Sequence, residues 1–449
     1  MILMIVIIMV AMIPLLTTLS SPPMPESAKV PPSDHIIENV PEEPVPQVEE
    51  SLEESEESIP DNTEDYQDHA LPEDVEEEKT PPEETIFELS NADPELSAAL
   101  DVIASRYGCA AVSLVVYDGE LRDYYTYQYG HADISAKRPV DADTKFRVAS
   151  LSKLVVVICA MTLVEEGKLD LNADISDYLG YHVRNPGFPD VPITSRMLMQ
   201  HTSSIYDSDV YKTTGNRNST DTTKRLLSAC SCYDEWQPGS LSDYSNFGYA
   251  VLGLICEILS GKRFDTLARD ILFDPLGIDA AFLPVKLRDT TNIAGIYNES
   301  HDLKRSVQAQ VNSGDTSVQG SDHNQIPGNL MISVIDYTKV LTMLGNGGTI
   351  DGIRILSPDS VQAIHRADVT GKGYKQALTP RLQNDPDMPE FGSYWHTGSA
   401  WGTFAQYNYY IGNGVNTGAV VVTTGARIDR LENGMVDVCT DLLVLAMAE

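Results

Sequence analysis

Residues 154 to 161 read LVVVICAM, eight apolar side chains in succession inside FRVASLSKLVVVICAMTLVEEG, a window that ends at Gly167. A helix normally shows apolar positions on one face, whereas this one is apolar all round and has to be enclosed by protein on every side. The chain must therefore supply enough flanking structure to wrap a central helix, either as one large domain or as two closely packed lobes.

The flanks supply it. ELSAALDVIASRYG spaces Leu96, Leu100 and Ile103 as a helix that stops at Gly108, and CAAVSLVVYDGELRDYYTYQYG alternates as a hairpin turning at Asp118-Gly119. Near the other end YWHTGSAWGTFAQYNYYIG and GAVVVTTGA alternate as strands joined by a loop NGVNTG, and LENGMVDVCTDLLVLAMA closes as an amphipathic helix. Residues 170 to 320 give helical patterns, RLLSACSCYDEW and NFGYAVLGLICEILSG among them, with few strand signals. Sheet at both ends with helices between predicts an α/β (α+β) fold, an antiparallel sheet flanked by helices with an inserted all-helical lobe. The crevice between the lobes is the expected site.

The first ninety residues are built differently. MILMIVIIMVAMIPLL carries no charge, and with the residues up to Ser20 it reaches the roughly twenty needed to cross a bilayer as a helix. It shows no basic leader, small-residue cleavage site or lipidation cysteine, so residues 1–20 read as an uncleaved membrane anchor, with a cleaved signal segment as the alternative. Residues 21–90 hold twelve prolines and 23 acidic against 2 basic side chains, a composition that cannot repay the entropy of folding. They are expected to form a disordered, acidic Pro/Glu-rich tether of about 45 Å average reach. The folded domain is then 91–449.

The formal net charge is −35, and the expected domain remains mildly acidic, which excludes a nucleic-acid partner because such a surface needs a basic stripe. Six cysteines at 109, 159, 230, 232, 256 and 439 lack paired or His-flanked spacing, so no metal and no cofactor is expected. Cys159 and Cys256 lie in apolar helical runs and read as buried thiols.

Chemistry concentrates at the head of the central helix. Ser150 and Lys153 form an S-x-x-K pair, and positions three apart share a helix face, so the Lys153 amine can approach the Ser150 hydroxyl. The helix N-terminus adds N–H groups and a positive dipole that stabilise an alkoxide, and desolvation eases loss of the lysine proton. Tyr244-Ser245-Asn246 follows a Pro-Gly turn and precedes a helix, and His396-Thr397-Gly398 starts a strand, followed by Ser399 and Gly402.

S-x-x-K, Y-x-N and H-T-G in this order resemble the motif set of penicillin-recognising serine hydrolases. From about residue 94 to 446 the chain resembles the serine β-lactamase-like family in its class C β-lactamase and D-Ala-D-Ala carboxypeptidase branch, with GELRDYYTYQYGHADISAKRPVDADTKFRVASLSK, ITSRMLMQHTSSI, QPGSLSDYSNFGYAVLG, PGNLMISVIDYTKVL and NGGTIDGIRILSP matching its blocks. The resemblance implies that Ser150 attacks a carbonyl to give an acyl-enzyme. Lys153 and Tyr244 share the proton, the ammonium group keeping the phenol's pKa low; sequence does not separate the two as bases. It implies that Asn246 binds the substrate amide and Lys153, that the N–H groups of Ser150 and Ser399 form an oxyanion hole, and that His396, Thr397 and Gly398 line the facing wall. His201 reads as structural, and Ser204 stands where the family commonly has Gly.

The function expected is an exported, membrane-tethered serine hydrolase, extracytoplasmic and anchored, or secreted if the N-terminal segment is cleaved. It would act as a D,D-carboxypeptidase or related cell-wall peptidase. The alternatives are an esterase, lactonase or β-lactamase of the same fold, and a catalytically silent muropeptide-binding or sensor module. Against the last stands the retained Ser150, Lys153 and Tyr244 set. Partners would be a small peptide, ester or β-lactam substrate, peptidoglycan, and the membrane. His396 stands where β-lactamases of this branch usually have Lys. The pocket is therefore expected to offer a carboxylate a hydrogen bond where those enzymes offer a fixed charge, and to turn over penicillins poorly.

Overall fold

The computed structural model describes residues 88–448 apart from 120–122, 215–219, 314–324, 372, 384–391, 413–414 and 431–433. The expected anchor and nearly all of the expected tether lie outside the described residues. No helix among the described residues is long and apolar enough to cross a membrane.

The chain enters the fold through strand β1, Glu88–Asn91, which pairs in parallel with residues 123–126 of a later strand. The folded part thus starts before residue 91, and the sheet is not wholly antiparallel as expected. Helix α1, Pro94–Arg106, is capped by Asp93, whose carboxylate accepts from the N–H groups of Glu95 and Leu96. Strands β2, Ala111–Asp118, and β3, Asp123–Asp133, form the expected hairpin. After a 3₁₀ turn at Ala149–Leu151 comes the central helix α2, Ser152–Glu165, in which residues 152 to 163 are all buried. Each fully buried Leu or Val there contributes about 1.5–3 kcal/mol, which makes this helix a principal anchor of the fold.

The helical lobe follows, with its longest member α3, Asn246–Ser260, packed on α2. Its N-cap Ser245 accepts from Gly248 N through its hydroxyl, and Gly261 at φ +70° ends it. RLLSACSCYDEW is less helical than its pattern suggests: the helix stops at Leu227, and Cys230–Cys232 form a 3₁₀ turn. Cys159 and Cys256 are buried free thiols, with pKa values pushed up by burial.

The chain returns to the sheet through α4, Val334–Gly345, and the strands β4, Val369–Thr370, β5, Lys375–Gln376, β6, Arg381–Gln383, β7, Gly392–Ala400, β8, Thr403–Gly412, and β9, Val415–Thr424. The main sheet runs β1-β3-β2-β9-β8-β7-β6-β5-β4, and β2 pairs with β9 in register Val115↔Val420, so the two ends of the domain share one sheet. Alternate residues face opposite ways: Val115, Val420 and Val422 join the core around α2, α3 and α4, whereas Val112, Leu114 and Val421 pack on α1 and the final helix α5, Asp437–Ala446.

NGVNTG is mostly strand. Val415 to Gly418 continue the ladder, and Gly418 is there for close approach, since a Cβ would lie 2.6 Å from Asn408 O. YWHTGSAWGTFAQYNYYIG is itself a hairpin, turning at Trp401-Gly402.

Candidate active site

Ser150 sits in the 3₁₀ turn that leads into α2, and Ala149 before it has a left-handed φ of +48°. That conformation costs a non-glycine residue about 1–2 kcal/mol and survives because the turn is pinned on several sides. Val148 N donates to Leu330 O (3.0 Å), the Ser152 hydroxyl donates to Ala149 O (2.5 Å) and accepts from Leu330 N (3.0 Å), and Tyr337 Oη donates to Leu151 O (2.8 Å). Strand β7 closes on the same turn. A Cβ on Gly398 would lie 2.3 Å from Val148 O, so glycine there lets the strand edge reach the nucleophile's backbone.

Lys153 is wholly buried, and its Nζ lies 3.1 Å from Ser150 Oγ, 2.8 Å from Asn246 Oδ1 and 2.9 Å from Pro327 O. Burial lowers its pKa to about 7; the charge of Asp207 opposes that shift and the charge of Arg381 adds to it. A neutral amine has two hydrogens and one lone pair. Asn246 Oδ1 and Pro327 O take the hydrogens, and the lone pair is left for the Ser150 hydroxyl.

Tyr244 Oη donates to Ser150 Oγ at 2.5 Å, and Lys153 Nζ is 4.8 Å from the Tyr244 ring centre. The phenol's pKa does not fall as the sequence suggested. Burial raises it, and that outweighs the lowering by the Ser150 hydrogen bond and by Arg381, so at neutral pH Tyr244 is a proton donor. His201 has φ +58°, its ring is tilted against that of Tyr244 with centres 4.5 Å apart, and its Nδ1 accepts from Ser245 N (3.2 Å). It supports the loop carrying Tyr244, consistent with a structural role. Ser204 also has a left-handed φ, +59°, and its hydroxyl accepts from Asn185 Nδ2 (3.0 Å), which holds the conformation a glycine would adopt freely.

Asp207 was not singled out in the sequence. One carboxylate oxygen accepts Phe247 N (2.8 Å) and the other accepts Asn246 Nδ2 (2.8 Å). This fixes the Asn246 amide with Oδ1 towards Lys153. Asp207→Asn presents a donor to that Nδ2 and favours flipping the Asn246 amide, so a fall in kcat/KM of about 10–100-fold is expected, the range of a lost charge-assisted hydrogen bond. Removing the carboxylate charge also lowers the Lys153 pKa further, and the acid limb of the kcat/KM profile should move to lower pH. Steady-state kinetics between pH 5 and 9 read both effects.

The cleft, about 850 Å³, is lined by Ser150, Tyr244, Asn246, His396, Thr397 and Ser399, with Asp207 and Arg381 beside them. His396 is 1% exposed, and burial, then the charges of Arg381 and Lys153, keep its pKa well below the usual histidine range. Nδ1 lies 2.8 Å from Thr397 O, so its N–H is already given to that carbonyl, and Nε2 is buried without a partner. A cationic side chain reaches the cleft from β6. Arg381, 8% exposed, lies 4.7 Å from the Tyr374 ring and 5.0 Å from the Trp395 ring, and its Nε has no partner. Among the described residues it forms no ion pair.

The arrangement can deliver an activated hydroxyl, a nearby base, a phenolic donor and a guanidinium to one cleft. No cluster among the described residues could hold a metal ion.

A family model described as "Beta-lactamase" matches residues 93–436. The chain is 26% identical over 353 residues to "Penicillin-binding protein 4" of Amycolatopsis lactamdurans, an alignment covering 72% of this chain and 83% of that protein. It is 27% identical over 280 residues to "Penicillin-binding protein 4*" of Bacillus subtilis (strain 168), over 60% of this chain and 56% of that one. Among solved structures it is similar to the D-amino acid amidase of Ochrobactrum anthropi SV3, with TM-score 0.59 and 20% identity over 79% of this chain and 97% of that one.

Proposed function

The chain belongs to the β-lactamase family of serine hydrolases, and from that premise we propose that it is a D,D-carboxypeptidase-like peptidase working through an acyl-enzyme on Ser150. Lys153 takes the Ser150 proton and returns it by way of Tyr244 to the departing amine, so that both groups end protonated as they began, and the N–H groups of Ser150 and Ser399 hold the oxyanion. Asn246 and Thr397 orient the substrate. The names of the two penicillin-binding relatives support a site shaped for a carbonyl followed closely by a carboxylate. The expected anchor and tether favour an extracytoplasmic enzyme held near peptidoglycan.

The observation that carries this reading is Arg381. A buried guanidinium without a counter-ion is costly unless an anion arrives, and the C-terminal carboxylate of a peptide is such an anion. Nα,Nε-diacetyl-Lys-D-Ala-D-Ala should therefore be cleaved about 10–100-fold better, in kcat/KM, than the same peptide with a C-terminal amide. Arg381→Gln should erase most of that preference. Release of D-Ala measured for both peptides decides it: equal rates, or a short-chain ester outrunning the acid peptide by orders of magnitude, would replace the peptidase reading with an esterase one.

A further inference from the structure

In an acidic protein, three guanidinium groups gather at one end of the cleft, none of them in an ion pair among the described residues. The Cζ atoms of Arg147 and Arg305 lie 4.2 and 4.7 Å from the centre of the Trp401 ring, and Arg430 Nη2 donates to Ser399 Oγ at 2.9 Å. All four residues line the cleft together with Ser150. None of the three arginines forms an ion pair among the described residues; Arg147 Nε donates only to Gly328 O (2.9 Å). Burial and the neighbouring Arg305 both act against the charge on Arg147. An anion seated here relieves that repulsion.

The backbone supports the same conclusion. Trp401 begins the two-residue turn between β7 and β8 with φ +52°, a left-handed position that such turns usually give to Asn, Asp or Gly. A half-exposed indole is an expensive choice there, and both guanidinium groups lie over its ring. A guanidinium lying over an aromatic ring keeps its in-plane N–H donors available to a carboxylate.

The Trp401 turn and the backbone of Arg381 lie at different points along β7. Arg381 pairs in register with Trp395, and the turn at Trp401 lies six residues further along β7, roughly 20 Å at strand spacing. Gly398, against the Ser150 turn, falls between them. If the C-terminal carboxylate sits at Arg381, as the peptidase reading has it, the Trp401 end receives the acyl part of the substrate.

We propose that Arg147, Arg305 and Arg430, gathered around Trp401, form a second anion-binding subsite that selects substrates carrying a carboxylate on the acyl side of the scissile bond. The assignment to the acyl side rests on the peptidase reading, but the subsite can be tested apart from turnover. The probes are N-succinyl-Gly-D-Ala-D-Ala and its uncharged succinamoyl counterpart, titrated calorimetrically into the full chain carrying Ser150→Ala. The succinyl peptide should bind at least about tenfold more tightly at low salt, a preference that fades as salt screens it. Adding Arg305→Gln and Arg430→Gln should bring the ratio to within about twofold. Equal binding of the two peptides, a ratio that survives both substitutions, or binding of neither peptide overturns the subsite. D-Ala release by the unsubstituted protein is followed in parallel. A retained binding ratio without turnover of either peptide removes the peptidase reading and leaves the subsite standing.

Discussion

Ser150→Ala is expected to lower kcat/KM by about 10⁵-fold or more on any substrate the protein turns over, and to abolish covalent labelling by a fluorophosphonate. Ser150 Oγ is reached by both Lys153 Nζ and Tyr244 Oη, whereas the neighbouring hydroxyls are committed elsewhere. Ser152 bridges Ala149 O and Leu330 N, Ser245 caps α3, and Ser399 accepts Arg430. The Ser150 side chain supports no backbone group, so thermal unfolding of the variant should match that of the wild type within a few degrees. Ser152→Ala should behave in the opposite way, costing stability because it leaves Leu330 N without its acceptor and takes one of two donors from Ala149 O. Peptide mapping of the labelled protein checks the assignment, and a probe on Ser152, Ser245 or Ser399 would overturn it.

The parts legible in the sequence are those written in local pattern. The all-apolar run of α2, the alternation of β2 and β9, and the spacing of Ser150 and Lys153 along one helix need no knowledge of the rest of the chain. Ser204, standing where glycine is common, left that turn's backbone open in the sequence, and it keeps a left-handed φ without the glycine. What could not be read depends on which distant segments meet. Asp207 reaches Asn246 from a loop 39 positions earlier, and Arg381 reaches the cleft from the short strand β6, where nothing in TPRLQ distinguishes it from a surface arginine. The tyrosine's pKa failed for a related reason: proximity to Lys153 is visible in the motif, but the degree of burial is not, and burial has the larger effect. Glycine in NGVNTG suggested a loop because a turn and a close backbone approach call for the same residue.

Lys153→Met should lower kcat/KM by about 10²–10⁴-fold, the range for loss of a general base, with smaller effects on binding of a neutral ligand. The sign of the pH dependence distinguishes Lys153 from Tyr244. Only the unprotonated amine can take the Ser150 proton, and its pKa is lowered to about 7, so wild-type kcat/KM should be weak in acid, rise through about pH 7 and level off above it. A Tyr244 phenolate as base would instead place the rise far into alkali, because burial has raised the phenol above its ordinary value. Tyr244→Phe should reduce the rate while leaving the acid limb near pH 7, since the titrating group is still present. Lys153→Met should remove that limb altogether. A wild-type profile flat between pH 6 and 8, or one whose acid limb disappears in Tyr244→Phe and persists in Lys153→Met, would transfer the role of base to the tyrosine.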